Sequence, residues 1–407
     1  MDTVSAYRRP SIPVRPAPDL VPLPPRFRVR VSKRRLVGMV LREIADYRGD
    51  LGVALARPCV YGVFDGPLGG LKPREERCVG CLRCTVQHPQ VVRIEPNPDR
   101  ARLGGEWMSP ECTATITYEA RTGQVPVRGA GYRGPFGGAG WDGMWLDMSE
   151  IVRPTRDGIH GREYIATTVD LGRRPAYLRF DPAGAPRGEQ PRVIEISVPY
   201  VFDTAGMPDP VADVVARSAR WIGTLAIGTG PDRLVPVRVH AAEDVLDRAR
   251  EGAGVVWLVT DRCGRAGDGR FLAELIRDAH DRLVAAGLRD QVSLLAGGGI
   301  VMADHVPKAI ACGADAVVLD TVLWVALQAS CTGDGPVFPH IPTEWGVQRV
   351  TNLAASWRDQ LLEVLGAMGM REVRRLRGEQ GRLLLQPDLE RAAFAAIEGY
   401  ERHAARR

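Results

Sequence analysis

The sequence predicts an α/β protein whose main part is a shortened β/α barrel of the TIM type. Three observations support this prediction. From about residue 192, short apolar runs alternate with segments of helical periodicity, which is the pattern of βαβ units and a parallel sheet. We count roughly six strands, against the eight of a complete barrel. Only nine residues, 228–236, lie between Ile227 of "GTLAIG" and Val237 of "VPVRV", and a strand–helix–strand crossover needs at least about ten to twelve.

The elements of the barrel can be taken in chain order. Apolar runs bounded by glycine, proline or polar residues predict strands in "VIEISVPYVF", "GTLAIG", "VPVRVHA", "GVVWLVT", "QVSLLAGGGI" and "ADAVVLDT". Helical periodicity predicts helices in "PVADVVARSARWI", "AEDVLDRARE", "GRFLAELIRDAHDRLVAAG" and "ADHVPKAIACG". The alternation ends near residue 343, and a helical pattern follows it.

The whole chain divides into five predicted segments. The first is proline-rich and is expected to form an extended tail or docking arm. The second begins with a helix in "RRLVGMVLREIADY", continues through a cysteine-rich stretch and ends in a glycine-rich loop. A connecting segment, the barrel and a C-terminal helical region complete the chain. The predicted boundaries are 1–27, 28–150, 151–191, 192–343 and 344–407.

Composition excludes several classes of protein. Of the 407 residues, 45% are hydrophobic and 25% charged, which is ordinary for a globular protein. The net charge of +5 is spread along the chain without a basic block interleaved with aromatics, so no nucleic-acid partner is expected. No apolar run reaches the roughly 18 residues of a membrane span. The N-terminus lacks an apolar signal core, and a cytoplasmic location is therefore expected.

Three of the eight cysteines fall within one heptapeptide, in "ERCVGCLRCTVQHP". Cys78, Cys81 and Cys84 have the C-x2-C-x2-C spacing of a bacterial ferredoxin run. Such a run has its fourth cysteine three residues later, just before a proline, and His88 occupies that place before Pro89. In a reducing compartment this cluster indicates metal binding, because soft thiolates suit iron. We predict Cys78, Cys81, Cys84 and His88 as the metal-ligating set of an iron–sulfur cluster.

The identity of the fourth ligand stays open at this point. Cys59 or Cys112 could complete a 4Fe–4S cluster, as could His88, and a set of three cysteines could hold a 3Fe–4S cluster or one with an open iron. Three cysteines and His88 are also a complete ligand set for zinc. The remaining alternative is a decayed ferredoxin segment whose cysteines are merely packed.

The segment "LLAGGGIVMADHVPKAIACGADAVVLDT" carries the second candidate site. A buried strand leads into Gly297, Gly298 and Gly299, and a helix is predicted to follow them. Backbone N–H groups at such a turn bind anions, and the loops after the last two strands of a β/α barrel commonly bind phosphate. A phosphate would then lie between the glycines and the pair Asp320–Thr321. The alternative is that the glycines only form a tight turn.

The same segment resembles the FMN-binding synthase domain of glutamate synthases. Residues 153–172 and 346–379 resemble stand-alone large-subunit-like members of that family, which also have a ferredoxin-like segment ahead of the barrel. The resemblance covers most of residues 35–400 and implies a β/α barrel that carries FMN, connected to an iron–sulfur cluster. It implies that Gly297 to Gly299 and Thr321 hold the FMN phosphate, and that Arg238 stands where the family has a lysine close to the flavin.

The resemblance also implies a function. The expected protein is an FMN-dependent oxidoreductase subunit that aminates a 2-oxo acid reductively, with electrons passing from a partner through the cluster to FMN. The chain does not begin with the catalytic cysteine of an amidotransferase, so ammonia is expected from a separate subunit or from solution. Asp320 departs from the family pattern, because it puts a carboxylate beside the expected phosphate. The competing hypothesis is a flavin-free barrel that serves as a scaffold or regulatory subunit.

Overall fold

The computed structural model folds into two compact units. The smaller unit comprises residues 20–105, and the larger unit holds the rest of the described chain. Several segments of both units are left undescribed. The residues that the structure describes are 12–50, 59–66, 69–105, 107–126, 140–141, 143–149, 165–177, 179–188, 192–228, 235–332 and 335–385. The C-terminal end of the predicted helical region, 386–407, therefore lies outside the described residues.

The smaller unit is a two-stranded sheet with helices and the cysteine segment packed beside it. Strand β1 (Phe27–Val31) pairs antiparallel with β2 (Val92–Pro96). The predicted first helix is α1 (Lys33–Asp46), and the short α2 (Arg83–Gln87) lies within the cysteine segment. A small apolar core holds the unit together, formed by Val29, Val63, Phe64, Cys78, Val91 and Val92.

The larger unit opens with helix α3 (Pro110–Thr122). Ser109 begins this helix by accepting a hydrogen bond from the Cys112 N–H, and Gly123 ends it with φ +67°. Short strands follow, namely β3 (Met144–Leu146), β4 (Val169–Arg173), β5 (Arg179–Phe180), β6 (Pro186–Arg187) and β7 (Arg192–Ile196). The run predicted as one strand in "VIEISVPYVF" is therefore divided, and β7 pairs antiparallel with β4.

A parallel sheet of six strands is the centre of the larger unit. Its strands are β8 (Tyr200–Asp203), β9 (Ala226–Ile227), β10 (Val237–Val239), β11 (Val255–Val259), β12 (Ser293–Gly297) and β13 (Ala316–Leu319). The last strand, β13, pairs with the first, β8, as in a closed barrel, whereas β9 and β10 are not paired with each other. The interruption lies at the short connection seen in the sequence. The prediction of a shortened β/α barrel is confirmed.

Helices cover the outer face of this curled sheet. They are α4 (Asp209–Ile222), α5 (Ala242–Arg250), α6 (Leu272–Ala285), α7 (His305–Cys312), α8 (Thr321–Ala326) and α9 (Thr343–Ala367). Tyr200 of β8 points to the outer face and packs against α9. Its hydroxyl donates to the Ala354 carbonyl of α9 at 2.6 Å, and its ring contacts Trp357 edge-on. In addition, the Trp357 indole N–H donates to Glu119 of α3 at 2.9 Å. The barrel face opposite Tyr200 is therefore the inner one.

The two ends of the barrel differ. The β4–β7 hairpin lies at the N-terminal ends of the strands, where the Gly172 N–H donates to the Ser293 hydroxyl at 3.1 Å. After the barrel come β14 (Ser330–Thr332), β15 (Gly335–Val337), α9 and two short 3-10 helices, and then β16 (Leu383–Leu385) pairs with β3. The C-terminal ends of the barrel strands are left for a ligand, as is usual in this architecture.

The proline-rich N-terminal stretch lies on α9. Residues 12–19 run extended, and the buried Arg349 guanidinium donates to the Ala17 carbonyl at 3.0 Å and pairs with Asp19 at 2.7 Å. The Asn352 amide donates to the Arg15 carbonyl at 2.7 Å. Residues 12–19 of the predicted tail or docking arm therefore pack against helix α9 of the same chain. Across the described residues, no helix is both long enough and apolar enough to span a bilayer.

Candidate functional site

The inner face of the sheet converges on a polar group at the C-terminal ends of the strands. Because paired residues share a face and alternate residues point the same way, the register places Arg238, Trp257, Gly297, Asp203 and Asp320 on the inner side. Asp203 ends β8, and Asp320 directly follows β13. This convergence identifies the ligand-binding end of the barrel.

The three glycines between β12 and α7 are each required by close contacts. A Cβ at Gly297 would lie 2.7 Å from the Trp257 indole nitrogen, and one at Gly298 would lie 2.3 Å from the Thr260 hydroxyl. A Cβ at Gly299 would meet the backbone of Gly264 at 2.7 Å. Gly298 and Gly299 also have φ of +101° and +67°, which residues with a side chain rarely adopt. The glycines therefore form a tight turn packed against the neighbouring loop.

This turn also leaves backbone donors unused. Gly298, Gly299 and Ile300 are buried. The pairing of Gly297 with Val318 directs the Gly298 N–H to the Val318 carbonyl, whereas in the described part of the chain the N–H groups of Gly299 and Ile300 have no assigned acceptor. The next N–H, of Val301, donates to the His305 imidazole at 3.1 Å. Buried backbone N–H groups are nearly always paired, so two consecutive unpaired ones indicate a site for an anion. The glycines can therefore form a tight turn and still present backbone N–H groups to an anion. These N–H groups fit a phosphate.

Two residues that the sequence analysis did not single out lie near this turn. Arg262 belongs to the loop that packs against Gly298 and Gly299, and its guanidinium lies 4.8 Å from the ring centre of Trp324 on α8. The Trp324 indole N–H is buried without a hydrogen-bond partner among the described residues. Both groups favour a negatively charged ligand.

Asp320 begins helix α8. Its Oδ1 accepts hydrogen bonds from the Thr321 N–H at 2.5 Å and from the Thr321 hydroxyl at 3.2 Å. Burial raises the pKa of the Asp320 carboxyl, and the Asp203 carboxylate raises it further, against the hydrogen bonds from Thr321. The Thr321 side chain is fully buried and already bonded to Asp320. Asp320 thus has a local structural role as well as a place in the site.

Arg238 links the two sides of the inner face. Its guanidinium lies 3.8 Å from Oδ1 of Asp203, on the far side of the barrel interruption, and 4.4 Å from the ring centre of Trp257. The Arg238 side chain is 52% exposed. An arginine held between a carboxylate and an indole presents a fixed positive charge to the mouth of the barrel.

The cysteine run of the smaller unit gains a fourth cysteine. Cys59 and Cys84 are partly buried against the same small core that contains Cys78, whereas Cys81 is exposed. Burial raises the pKa of the Cys78 thiol against a hydrogen bond from the Gly80 N–H, and the proximity of Cys84, Cys59 and Cys81 raises this pKa further. Burial raises the pKa of Cys84 as well. Four neighbouring cysteines are a set of residues that would suit an iron–sulfur cluster.

The backbone of the cysteine loop is held in rare conformations. Gly80 has φ +73°, its N–H is hydrogen-bonded to the Cys78 sulfur, and a Cβ there would lie 2.3 Å from the Phe27 ring. Leu82 has φ +60°, which is unusual for a residue with a side chain. Such strain is typical of loops shaped around a ligand, where N–H groups point toward sulfur.

The other two candidates for the fourth ligand have different surroundings. His88 ends α2, and Cys112 is buried in the core of the larger unit, where its sulfur accepts a hydrogen bond from the Ser109 hydroxyl at 3.3 Å. Among the described side chains, no three cysteine, histidine or carboxylate groups already form a metal-binding arrangement. Metal binding would have to draw the sulfurs together.

Sequence comparison finds relatives of this chain that are named as glutamate synthases. An archaeal-type glutamate synthase [NADPH] of Thermotoga sp. strain RQ2 is 30% identical, and the alignment covers 86% of this chain and 95% of that one. The chain belongs to the glutamate synthase family. A protein of the same name from Dehalococcoides mccartyi is 23% identical, with 76% of this chain and 87% of the relative aligned.

The family membership is also visible in a shorter match. Residues 268–334 match the model described as the conserved region in glutamate synthase, and this stretch contains the glycine turn and Asp320. Among solved structures, a flavocytochrome b2 mutant with pyruvate bound is 13% identical and covers 60% of this chain and 76% of its own. Its TM-score of 0.37 is too low to support an argument. The predicted resemblance to glutamate synthases is confirmed.

The sequence contained signals for some of the residues that the sequence analysis passed over. Asp203 directly follows the apolar run "VPYVF", and polar residues at the C-terminal end of a barrel strand commonly reach the ligand. Trp257 lies inside the apolar run "VVWLV", where it looked like an ordinary core residue. Nothing in the local sequence of this member of the glutamate synthase family indicates that Trp257 contacts Gly297, which lies 40 positions further along the chain.

Proposed function

We propose that this protein is an FMN-dependent, iron–sulfur oxidoreductase subunit of glutamate-synthase type. Its reaction is the reductive amination of a 2-oxo acid such as 2-oxoglutarate, with ammonia supplied by a separate subunit. The observation that carries the proposal is the pair of consecutive, buried N–H groups of Gly299 and Ile300 without an assigned acceptor in the described part of the chain, since they fit the terminal phosphate of FMN. Membership of the family and the names of its relatives support the reaction.

Each cofactor has a proposed place. Gly299 and Ile300 would hold the FMN phosphate, Arg262 would add positive charge, and Arg238 would lie toward the substrate. When bound, FMN supplies hydride transfer to a carbon–nitrogen double bond. The cysteines Cys59, Cys78, Cys81 and Cys84 would hold the cluster, which supplies single-electron transfer. The role of the polypeptide is to hold these groups and to orient the substrate at the open end of the barrel.

We propose that electrons enter through the smaller unit from an acidic donor protein. In residues 20–105, sixteen lysines and arginines face eight aspartates and glutamates, a net charge of +8 within a chain of +5. Leu82 and Val86, which flank Cys84, are exposed. A basic surface with apolar residues around the redox centre favours a partner of opposite charge, and association with it should weaken as salt is added.

The decisive test is the visible spectrum of protein purified without air, with iron, acid-labile sulfide and flavin assayed on the same sample. Broad absorption with iron and sulfide, and saturable FMN binding followed by flavin fluorescence, are the expected results. Stoichiometric zinc without sulfide would contradict the iron–sulfur part of the proposal.

The second candidate function is a flavin-free barrel that acts as a scaffold or regulatory subunit. The interruption of the sheet between β9 and β10 favours it, because two strands of a full barrel have no counterpart among the described residues. Failure of the protein to bind FMN at submillimolar concentration would leave this function in place of the first.

The fourth cluster ligand gives a separate prediction. Cys59→Ser should remove most of the iron and the broad absorption, because Cys59 shares its small core with the other three cysteines. The matched control is Cys112→Ser, which alters a cysteine in the core of the larger unit and should leave the iron content unchanged. His88→Ala should lose less iron than Cys59→Ser. Equal iron in wild type and Cys59→Ser would show that another residue completes the site.

A further inference from the structure

Two carboxylates stand side by side at the mouth of the barrel. Strands β8 and β13 are paired with Phe202 opposite Leu319, so Asp203 and Asp320 are the next residues in register and share the inner face. The Asp203 side chain is only 14% exposed. Each carboxylate uses Oδ1 locally, Asp203 to accept from the Ala205 N–H at 3.0 Å and Asp320 to accept from Thr321. Neither Oδ2 has a hydrogen-bond partner in the described part of the chain.

The charges of this group do not balance. Arg238 is the cation paired with Asp203, at 3.8 Å, and it is half exposed and shared with the face of Trp257. Two carboxylates beside one guanidinium would carry an excess of one negative charge in a partly buried place if both were ionised together. Repulsion between the carboxylates costs free energy that a bound cation would offset.

A buried donor on the same face points independently to a ligand. Trp257 is 4% exposed, and its indole N–H has no hydrogen-bond partner among the described residues. The indole nitrogen lies against Gly297, 2.7 Å from the place of the missing Cβ, and Val318 lies on the other side of that place at 3.0 Å. Asp320 is the next inward-facing residue after Val318. The unpaired N–H therefore lies just below the carboxylates, next to Arg238, and would be satisfied by an acceptor such as a carboxylate oxygen.

We propose that Asp203, Asp320, Arg238 and Trp257 together bind an amino or imino acid, and that they hold both the nitrogen and the carboxylate of this ligand. Asp203 and Asp320 take the cationic nitrogen of the ligand, and Arg238 with the Trp257 N–H takes its carboxylate. The inference rests on the proposed function and deepens it, since it names the groups that would distinguish the aminated compound from its nitrogen-free analogue. Opposite charges at the two ends of the site give this discrimination, because an unpaired carboxylate facing an uncharged carbon is penalised.

The test compares two probes on the full-length protein by calorimetric titration. L-Glutamate carries the cationic nitrogen, and glutarate has the same carbon chain and carboxylates without it. In wild type we expect glutamate to bind at least about tenfold more tightly than glutarate, the ratio that one good charged contact gives. In Asp203→Asn and in Asp320→Asn the ratio should fall toward one. Arg238→Gln should instead weaken both ligands alike.

The matched control is Asp244→Asn, an exposed aspartate in the first turn of α5, which should keep the wild-type ratio. The inference is overturned if wild type binds glutarate as tightly as glutamate, binds neither, or keeps its preference in both asparagine variants. A preference abolished by Mg²⁺ in wild type alone would instead assign the carboxylates to a metal. FMN titration of the same samples tests the proposed function separately, because neither probe contains a flavin.

Discussion

Gly298→Ala is expected to lower the affinity for FMN by at least about 100-fold, which is roughly 2.7 kcal/mol of binding free energy. The new Cβ would lie 2.3 Å from the Thr260 hydroxyl and 2.6 Å from the Asp261 carbonyl oxygen, and the backbone at φ +101° resists any side chain. The turn must therefore shift, and the pair of N–H groups that would hold the phosphate shifts with it. Titration of the apo-protein, followed by flavin fluorescence, measures the change.

Gly267→Ala is the matched control for this experiment. Gly267 lies in the loop before α6, and no atom lies within 4 Å of the place that its Cβ would take. It should bind FMN as wild type does. If Gly298→Ala is folded, as judged by circular dichroism, and still binds FMN with the affinity of Gly267→Ala, then this turn does not hold the phosphate.

Asp315→Ala is expected to lower the free energy of unfolding by about 3–5 kcal/mol, the usual effect of removing one partner from a buried ion pair. Asp315 pairs with Arg289 at 2.8 Å and with Arg377 at 2.9 Å, and it accepts from the Leu294 N–H at 2.7 Å. Without the carboxylate, the buried Arg289 guanidinium loses its counter-charge. Urea denaturation monitored by circular dichroism measures the loss.

Asp290→Ala serves as the control for Asp315. Asp290 also pairs with Arg377, but its side chain is 86% exposed, so its loss should cost less than about 1 kcal/mol. An effect of Asp315→Ala no larger than that of Asp290→Ala would show that the buried network contributes little to stability.

The same carboxylate gives an expected pH dependence. Burial alone would raise the pKa of Asp315, but the guanidinium groups of Arg289 and Arg377 outweigh burial and lower it below its usual value. A carboxyl whose folded-state pKa is lowered contributes its full stability above the unfolded pKa of about 3.9. This contribution is lost as the pH falls from there through the folded-state pKa. Wild type should therefore lose more stability in acid than Asp315→Ala does.

Local sequence patterns were sufficient for most of the elements. Most barrel strands are short apolar runs, and four barrel helices repeat their apolar residues at the helical spacing, so these elements were predictable without tertiary information. One exception is the short helix α8, which was not predicted. Another is "VIEISVPYVF", a mainly apolar run that is divided between a strand paired with β4 and a barrel strand. The division depends on pairing with β4, which the local pattern does not contain.

What the sequence alone determined is what depends on neighbours along the chain. Nine residues are too few for a crossover, which placed the interruption of the barrel between β9 and β10. The spacing of Cys78, Cys81 and Cys84 and the run of three glycines likewise follow from local backbone geometry.

Only the tertiary structure decided which distant residues meet. It placed Cys59 beside the cysteine run, and it set Asp203 next to Asp320 although 117 positions separate them in the chain. It also showed that the indole of Trp257 fills the space beside Gly297. These contacts are fixed by strand order and register, which burial of the whole apolar surface determines and no single segment encodes.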